Sequence, residues 1–533
     1  MSDFKPVVGI DLGTTFSAIA YIDEHQKPIV IPNEENIPIT PSVVNFADKD
    51  TFVVGEEAAN KTIADNVNTV SFIKREMGKS DYKMTIHDRE YTPQDISAKI
   101  LAKLKKDAET YFRNNGLEIE IKDAVITVPA YFGMNQKNAT IDAGKIAGLN
   151  VLYIINEPTA AALAFGINNI GKDQTVFVFD LGGGTFDVTI LEIKGNTIDM
   201  IASEGNARLG GKNWDDLLVN YCSQLFKDKY GKNPKDDADY YQELYERILK
   251  SKISLSRLSK TVIPINYEGN KMNVEVTREK FEELSKDLVY QCKCLSEHVL
   301  NKAGKNGMTW NDIDKILLVG GSTYMPMVRN MIKEISGKEP STDVNPDQCV
   351  AVGAAWKAFL EQTGQKVEEV RKLIGDEEAE KTQKAILGHL PPIDVIESVA
   401  KSLGVIAHNE KGKEAVFKMI PEQTKIPCLK EDASFTYYED NQTSLCVRVT
   451  EGEGDAPDEV NIIGQIILDN LPPRRKGSPI KLKYNYNKNK ILEIEVVDVE
   501  TGKSKQGMVV FGGALSDAEI QESIRHHAGQ QQE

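Results

Sequence analysis

The chain lacks the marks of several common protein classes. Its 533 residues hold six cysteines, and 64 Lys and Arg stand against 80 Asp and Glu, a formal net charge of −16. No two cysteines have zinc-ligand spacing, and their number does not fit a secreted disulfide framework, so we interpret them as reduced thiols. The acidic balance argues against nonspecific nucleic-acid binding, whose affinity rests on phosphate neutralisation.

Long apolar runs are also missing. No run approaches the ~20 residues of a membrane span. Residues 1–11 show neither the basic nor the apolar region of a secretory signal, and the last residues carry no retention or lipidation signal. We therefore expect a cytoplasmic protein that binds neither membrane nor nucleic acid. A composition of 41% hydrophobic and 27% charged residues is typical of a globular protein, and the length predicts two or three domains.

The character of the sequence changes along the chain. Alternating strand-like and helix-like runs give way to a highly charged stretch and then to a region that reads as β throughout. Ser516 and Glu519 then form a capping box that opens a helix. The predicted segments are an α/β domain (1–361), a linker with a short helix (362–399), an all-β domain (400–513) and a short C-terminal helix with its tail (514–533).

One phrase occurs twice, as VVGIDLGTTFSAIAY at 7–21 and as VFVFDLGGGTFDVTI at 176–190. Each is an apolar run, Asp-Leu-Gly, a Gly/Thr turn and a second apolar run, which predicts strand-turn-strand. A P-loop is excluded, because its glycine turn opens a helix and carries Gly-Lys-Ser/Thr. Backbone N–H groups of such turns converge on phosphate oxygens, and the strand-ending Asp11 and Asp180 suit Mg²⁺.

One copy alone would fit an ordinary glycine turn. Two copies with identical Asp-Leu-Gly favour two duplicated subdomains whose hairpins face each other across one polyphosphate. Other residues fit this cleft less specifically. Glu157 precedes a helix and is equally a helix cap. Gly320 and Gly321 follow a buried strand where a helix opens, Asp347 is predicted to cap a helix, and Lys74 alone reads as a surface charge.

Taken in order, the motifs GIDLGTTFS, FIKREMG, VPAYF, NEPTAAALAFG, DLGGGTFDVT, LGG, KISLS, LLVGGST and NPD resemble those of the heat shock protein 70 (DnaK-type) chaperone family. The resemblance is very specific to about residue 361 and looser, but traceable, over 402–525. It implies an actin-like (ribonuclease H-like) two-lobed ATPase domain joined to a β-sandwich that holds extended peptides.

The resemblance also implies residue roles, which we carry over only where the motifs match. Lys74 would position the attacking water and Thr185 would support the γ-phosphate. Mg²⁺ with its waters, and K⁺ as a further cation, would be organised by Asp11, Glu157, Asp180 and Asp187. The phosphates would lie against Gly13, Thr14, Thr15, Gly182 and Gly183. The nucleoside of ATP or ADP would lie among Gly210, Gly211, Lys252, Ser256, Gly320, Gly321, Tyr324 and Asp347. Pro129 and Lys137 would relay the nucleotide state to the other domain.

Several positions depart from the family pattern. Leu249 and Tyr324 stand where the family usually has Glu and Arg, which predicts a more apolar adenine pocket. Lys212 replaces an acidic residue, and Lys137 replaces an Arg whose bidentate contacts a lysine cannot copy.

The linker departs most. The family docks an Asp followed by leucines as an added strand, whereas the stretch here reads HLPPIDV, and the extra segment 362–390 has no counterpart. Pro391 and Pro392 have no N–H to donate to a sheet. We therefore hypothesise that interdomain coupling is weakened or built differently.

The β region matches the family's peptide pocket at Val405, Phe435, Leu445 and Val447, although Phe435 and Val447 also fit plain core packing. His408 and Tyr438 would arch over the peptide backbone. Too few residues follow Ser516 for a full helical lid, so we expect an open pocket that releases peptide quickly.

Three functions remain open at this point. The first is an ATP-dependent chaperone of the heat-shock type, with slow ATP hydrolysis, unfolded or extended polypeptides as clients, and a J-domain co-chaperone and a nucleotide exchange factor as partners. The second is a specialised relative that binds ATP and works as a regulator or docking partner with little turnover. The third, a small-molecule kinase on the actin-like scaffold, is disfavoured because the C-terminal β domain supplies no sugar site.

Overall fold

The computed structural model describes residues 5–62, 64–167, 169, 171–304, 307–388, 390–488, 490–508 and 515–532. The elements of the first lobe are β1 (Val8–Asp11), β2 (Phe16–Ile22), β3 (Pro28–Ile31), β4 (Thr40–Pro41), β5 (Val44–Phe46), β6 (Thr51–Val54), α1 (Glu56–Lys61), β7 (Thr69–Val70), the 3₁₀ helix Ile73–Glu76, β8 (Met84–Ile86), β9 (Arg89–Tyr91), α2 (Pro93–Asn114), β10 (Asp123–Val128), α3 (Met134–Ile146), β11 (Asn150–Asn156) and α4 (Glu157–Ile167).

A second lobe follows. Its elements are β12 (Gln174–Leu181), β13 (Phe186–Lys194), β14 (Thr197–Asn206), α5 (Gly211–Tyr230), the 3₁₀ helix Pro234–Asp236, α6 (Ala238–Leu255), β15 (Lys260–Tyr267), β16 (Asn270–Thr277), α7 (Arg278–Leu284), α8 (Lys286–Lys302), the 3₁₀ helix Trp310–Asp312, β17 (Lys315–Val319), the 3₁₀ helix Gly321–Tyr324 and α9 (Pro326–Ser336). Two long helices come next, α10 (Cys349–Leu373) and α11 (Asp376–Leu387).

The rest of the chain is mostly β. Its elements are β18 (Asp394–Ile396), β19 (Leu403–His408), β20 (Glu414–Ile420), β21 (Cys428–Thr436), β22 (Leu445–Glu451), the 3₁₀ helix Pro457–Glu459, β23 (Asn461–Leu468), β24 (Pro479–Tyr486), β25 (Leu492–Asp498), β26 (Ser504–Met508), α12 (Asp517–Ala528) and β27 (Gln531–Gln532). The predicted boundary between 513 and 514 lies outside the described residues.

The two lobes repeat one sheet plan. In the first, strand order is β11-β10-β1-β2-β3, with the antiparallel hairpin β1–β2 beside the parallel strand β10. In the second, order is β17-β12-β13-β14-β18, with the antiparallel hairpin β12–β13 beside the parallel strand β17. Each repeated phrase is therefore strand-turn-strand in its own sheet, and the predicted two-lobed α/β fold is confirmed.

Helices α4 and α10 pack against each other between the two sheets, and small residues allow their close approach. A Cβ on Gly353 of α10 would lie 1.7 Å from the carbonyl oxygen of Ala160 on α4. A Cβ on Gly9 of β1 would lie 1.9 Å from the Ala355 nitrogen, so only glycine fits either position. Helix α10 also packs on β1 and β2, and α4 packs on β12 and β13, so the two helices connect the strands that carry the two hairpin turns.

The linker contributes a docked strand that begins after its two prolines. Strand β18 pairs in parallel with residues 197–199 of β14, and the Asp394 N–H donates to Asn196 O at 3.0 Å. Pro391 and Pro392 precede this strand, so they occupy no ladder position. The hypothesis that interdomain coupling is weakened or built differently stays a prediction, because the pairing of β18 does not test it. In place of one short helix, α10 extends across residue 361 and α11 follows it.

The C-terminal β region is a sandwich whose sheets have the orders β20-β19-β22-β23 and β21-β24-β25-β26. Its core also contains Met134 from α3 of the first lobe, and the Met134 N–H donates to Glu451 Oε1 at 2.9 Å. Lys302–Glu422 and Lys425–Asp199 form ion pairs between the sandwich and the second lobe. The sandwich is thus docked on the α/β domain.

The C-terminal helix docks on the first lobe. The predicted capping box of Ser516 and Glu519 is present at the start of α12, and Ile520 is buried in the first-lobe core. Strand β27 extends the small sheet β6-β5-β7 in parallel with β6. In the part of the chain that the structure describes, no helix is both long and apolar enough to cross a bilayer.

Candidate functional site

A cavity of about 620 Å³ opens between the two lobes. Every predicted catalytic and nucleotide-contacting residue lines it except Asp187 and Gly210. These two lie directly behind the lining. Asp187 is the register partner of Asp180 and accepts a hydrogen bond from the Tyr131 N–H at 3.1 Å. A Cβ on Gly210 would lie 2.6 Å from the Gly184 nitrogen.

The turns of the two hairpins touch each other at the floor of this cavity. A Cβ on Gly183 would lie 1.7 Å from Thr15 Oγ1, and a Cβ on Gly184 would lie 2.6 Å from Thr14 Oγ1. A side chain at either glycine would force the facing threonine to shift or the two turns to move apart. The structure therefore brings the two repeated phrases into one site.

Lys74 lies in this site and not on the surface. The 3₁₀ helix Ile73–Glu76 directs it inward, and its Nζ lies 2.5 Å from Glu157 Oε1, with the side chains only 6% and 9% exposed. Glu157 is the first residue of α4, where β11 ends. Glu157, at the end of β11, and Lys74, on a short helix of the same lobe, thus form a buried ion pair.

Three further carboxylates crowd the same cleft. Burial, with repulsion from Glu157, raises the pKa of Asp11 to about 7. The same two causes raise the pKa of Asp187 to about 8 and hold that of Asp180 well above its ordinary value. Such shifts mean that burial and mutual repulsion disfavour the ionised form of these carboxylates unless a cation is bound.

The cleft fits a metal-bound polyphosphate. Extra carboxylate charge calls for a hard cation, and the glycine turns offer a cradle that a Cβ would fill. The buried Thr15 Oγ1 has no hydrogen-bond partner among the described residues. Those residues also hold no group of three or more Asp, Glu, His or Cys placed to bind a metal directly. The donor set therefore suits a cation held through water and phosphate oxygens.

The other end of the cavity is more apolar. Leu249, Ile253 and Tyr324 line it, and Leu249 and Tyr324 are the two positions where the sequence departs from the family pattern. Lys252 also lies there, with its Nζ 2.7 Å from Asp215 Oδ1 and 3.0 Å from the Gly211 carbonyl oxygen. Ser256 and Gly321 complete the part of the lining that the sequence identified.

The sequence predicted that Asp347 caps the following helix, but the structure shows that it does not. Helix α10 begins at Cys349, its N-cap is Gln348, and no side chain caps it. The Asp347 side chain lies beside Tyr324 in the lining of the cavity instead.

Sequence reasoning missed part of the site. Arg75 donates through Nη2 to the Gly184 carbonyl oxygen at 2.9 Å and to Asn213 Oδ1 at 3.2 Å, which ties the rim of the first lobe to the second hairpin. Tyr245 lines the cavity and donates to Asp215 Oδ2 at 3.1 Å. Neither contact has a local sequence signal, since each joins residues far apart in the chain.

Of the two predicted relay residues, Lys137 lies beside the docked sandwich. Pro129 follows β10, and its carbonyl oxygen accepts from the Phe132 N–H. Lys137 on α3 is buried, and burial together with repulsion from Lys490 lowers its pKa to about 8.

Residues of the predicted peptide pocket fall into two groups. His408 and Tyr438 stack, with ring centroids 3.7 Å apart and an interplanar angle of 8°. The remaining predicted residues belong to the sandwich core or pack against it, namely Val405, Leu445, Val447 and Phe435. Of the predicted peptide-pocket residues, only the stacked pair His408 and Tyr438 is exposed at the surface.

The geometry defines a class of protein: a two-lobed, actin-like domain with paired glycine hairpins, joined by a docked strand to a β-sandwich. The sequence model of the family described as Hsp70 protein matches residues 7–374 and 393–533. The chain therefore belongs to the Hsp70 family. The unmatched gap contains α11 and is narrower than the predicted extra segment 362–390.

Named relatives agree with this assignment. The chain is 42% identical over 528 residues to the chaperone protein DnaK of Thermotoga neapolitana and to that of Thermotoga maritima, covering 97% of this chain and 82% of each relative. It is 40% identical over 527 residues to the DnaK of Thermosipho africanus, with the same coverage. Family and relatives together support an ATP-dependent Hsp70 chaperone function.

Proposed function

We propose that the chain binds ATP and ADP with Mg²⁺ in the interlobe cleft, hydrolyses ATP slowly, and uses this cycle to control the binding of extended polypeptides by the β-sandwich. A J-domain co-chaperone and a nucleotide exchange factor are the proposed partners, and K⁺ is the proposed second cation. The cytoplasmic location and the nearly absent lid stay predictions from the sequence.

The proposal gives each side chain of the cleft a task. Thr14, Thr15 and Thr185 donate to phosphate oxygens beside the glycine turns. Asp11 and Asp180, with Asp187 behind them, order water around Mg²⁺, which would neutralise charge on the transferred phosphoryl group. Lys74 and Glu157 hold the attacking water between an amine and a carboxylate.

One observation carries the proposal: the glycine turns of both lobes meet around a cavity that already contains a buried lysine and an excess of carboxylates. A cleft that served only structural packing would gain nothing from unneutralised buried charge, because desolvation disfavours it. Such charge is expected where a cationic ligand completes the site.

The test compares ATP turnover of the wild-type chain and Lys74→Ala at saturating Mg²⁺, with and without a model apolar peptide. We expect slow turnover that the peptide stimulates, and a loss of about 10²–10³-fold in Lys74→Ala, because one positioned group contributes roughly that factor. Lys79→Ala, which removes a partly exposed lysine paired with Glu76 outside the cavity, is the control and should retain full turnover. Equal rates for wild type and Lys74→Ala would contradict the proposal.

The second candidate is a relative that binds ATP without cycling. The apolar nucleoside end, with Leu249 and Tyr324, favours it, since fewer polar contacts hold the base. ATP binding with no hydrolysis, even with a J-domain protein present, would select this function.

A further inference from the structure

One face of α6 lines the nucleoside end of the interlobe cavity. Leu249, Lys252, Ile253 and Ser256 follow one another along this face at helical spacing, and all four line the cavity. Tyr324 lines the same end from the 3₁₀ helix that follows β17. Because the phosphates are assigned to the glycine turns, the base of a nucleotide falls to this end of the cleft.

The nucleoside end presents apolar side chains that nothing in the protein covers fully. Ile253 is 55% exposed and Tyr324 is 42% exposed. The guanidinium of Arg329 lies 5.7 Å from the centroid of the Tyr324 ring, and its Nε donates to the Thr323 carbonyl oxygen at 3.1 Å, which helps to hold the ring in place. A ring of this kind binds a base by stacking, and stacking does not read base identity because every base has a π-face.

The buried polar groups at this end are engaged within the second lobe. Lys252 Nζ lies 2.7 Å from Asp215 Oδ1 and 3.0 Å from the Gly211 carbonyl oxygen, and its side chain is 10% exposed. Leu249, three residues before it on the same helix face, has no polar atom to offer. The middle of this face therefore supplies no hydrogen bond that depends on the base.

The other polar side chains here fit adenine and guanine alike. The Ser256 hydroxyl both donates and accepts, so it suits the N6 amine of adenine and the O6 oxygen of guanine. The Asp347 carboxylate accepts from an amine, which adenine has at N6 and guanine at N2. The Arg257 guanidinium donates, and both purines accept at N7.

We propose that the nucleoside end does not discriminate between the purine bases, so that the cleft takes GTP as a substrate alongside ATP. Leu249, Ser256 and Tyr324 are the residues that set this broad specificity. In the reaction water attacks the γ-phosphorus of GTP, the bond from that phosphorus to the β–γ bridging oxygen breaks, and GDP, inorganic phosphate and a proton leave. The inference rests on the proposed nucleotide hydrolysis and names its substrate class.

The experiment measures kcat/KM for ATP and for GTP with the full chain at saturating Mg²⁺. A pocket built to hydrogen-bond one group rejects an analogue without that group by about 10⁴–10⁵-fold, whereas an apolar pocket discriminates by about 10–200-fold. We expect the two values to lie within about tenfold of each other. Lys74→Ala should lower both rates by the same factor, which would place both hydrolyses in this cleft.

Ser256→Asp should create the discrimination that the wild type lacks. A carboxylate only accepts, so it keeps a partner in the N6 amine of adenine and repels the O6 oxygen of guanine, and the preference for ATP should rise at least about tenfold. Ser254→Asp is the matched control, since it adds the same charge to the same helix end. The Ser254 hydroxyl donates to the Lys250 carbonyl oxygen at 2.9 Å and does not line the cavity, so the ratio should stay unchanged.

Tyr324→Ala separates affinity from selectivity. Loss of the ring should raise KM by about 5–150-fold for ATP and GTP together, because a stacked base contributes roughly that factor whichever purine it is. Tyr290→Ala, which removes an exposed ring of α8 outside this cavity, should change neither KM. A rise in KM for ATP alone would contradict base-independent stacking.

A wild-type preference for ATP above about 200-fold would overturn the inference and leave the proposed function intact, since it exceeds what an apolar pocket supplies. The same holds if Lys74→Ala lowered ATP hydrolysis and left GTP hydrolysis as it was. If the chain hydrolysed neither nucleotide, the proposed function would fail. Displacement of a fluorescent ADP analogue would then decide: GDP competing within about tenfold of ADP would support the inference, and no competition by GDP would overturn it.

Discussion

Among the residues that the structure describes, two buried lysine–glutamate pairs differ in what surrounds them. Lys74–Glu157 lies in the cleft beside three more carboxylates whose pKa values are raised by burial and repulsion. Lys490–Glu397 lies at the domain junction, where hydrogen bonds engage both of its charges. The carboxylates of the cleft therefore need a cation to be stable in the ionised form, whereas the charges at the junction have their partners within the protein. The cleft is thus typical of a ligand-binding site, and the junction of a contact between domains.

The same substitution at the two glutamates should give different results, and this is the largest effect we expect. Glu157→Gln should lower turnover by about 10²–10³-fold, because it removes the carboxylate that positions water beside Lys74. Glu397→Gln should lower turnover much less, because it leaves the carboxylates of the cleft in place and removes only the partner of Lys490 at the junction. Single-turnover hydrolysis measures both.

Glu368→Gln is the matched control for this pair of variants. Its carboxylate lies 2.7 Å from Arg371 Nη1 on the same helix, and both side chains are 46% exposed. It should leave turnover within about twofold of wild type. A fall of equal size in all three variants would erase the distinction between the two pairs.

A third buried contact, at the C-terminal helix, extends the comparison to an amine without a carboxylate. Lys99 Nζ lies 2.5 Å from Gln530 Oε1 and 3.9 Å from the Phe52 ring centroid. Burial lowers the pKa of Lys99 to about 7, and burial with repulsion from Lys99 lowers that of His527 to about 4. Docking of α12 therefore depends on an uncharged imidazole.

Acidification should release this helix. Because the docked-state pKa of His527 lies below its free value of 6.5, its contribution is fully present above pH 6.5 and is lost as the pH falls toward 4. The loss amounts to roughly 3 kcal/mol, measured as hydrogen exchange of residues 517–528 corrected for intrinsic rates. His527→Phe should remove the pH dependence over this range. His526→Phe, at a neighbouring and 51% exposed position, should not, and equal behaviour of the two variants would contradict the assignment.

The contact between the hairpins should tolerate no side chain. Gly183→Ala places a Cβ 1.7 Å from Thr15 Oγ1, so the lobes must separate at a cost of about 1–3 kcal/mol, or about 5–150-fold in nucleotide affinity. Isothermal titration with ATP measures it. Gly364→Ala is the control, because its Cβ meets nothing within 4 Å and it lies inside α10, where alanine favours the helix. Unchanged affinity in Gly183→Ala would mean that nucleotide does not lie between the hairpins.

The smallest effect should come from the aromatic stack on the sandwich. Tyr438→Ala removes its ring from His408, a contact worth about 0.5–1.5 kcal/mol, so peptide dissociation should quicken about 2–10-fold. Stopped-flow release of a labelled peptide measures this rate. Tyr290→Ala removes another exposed ring, on α8 of the second lobe, and should leave the rate unchanged. Release at the wild-type rate in Tyr438→Ala would remove the stack from the peptide site.

The cleft could largely be predicted from sequence because its parts are local. A Gly/Thr turn between two apolar runs specifies a hairpin by short-range rules. Its repetition at 7–21 and 176–190 predicts that a second hairpin, from the other lobe, contributes to the same site. The first residue of a helix is harder to predict from local sequence than a hairpin turn is. The local pattern suggested Asp347 as a cap, but its carboxylate meets Tyr324, which belongs to a separate turn.

The junction could not be predicted because its parts are distant. Lys490, Glu397 and Asn156 come from three separate segments, and none stands in a recognisable motif. Their pairing depends on how the sandwich settles on the first lobe, which is decided by long-range packing around Met134. The missing N–H groups of the two prolines would matter only inside a paired strand, and both prolines lie before β18.

The central claim is that the cleft controls the sandwich, and peptide release tests it most directly. A labelled apolar peptide is bound to the chain with ADP and Mg²⁺, and its dissociation is followed after mixing with excess ATP or excess ADP. The account predicts release at least about tenfold faster with ATP, since the two sites are coupled through the docked junction. Equal release rates with the two nucleotides would contradict it.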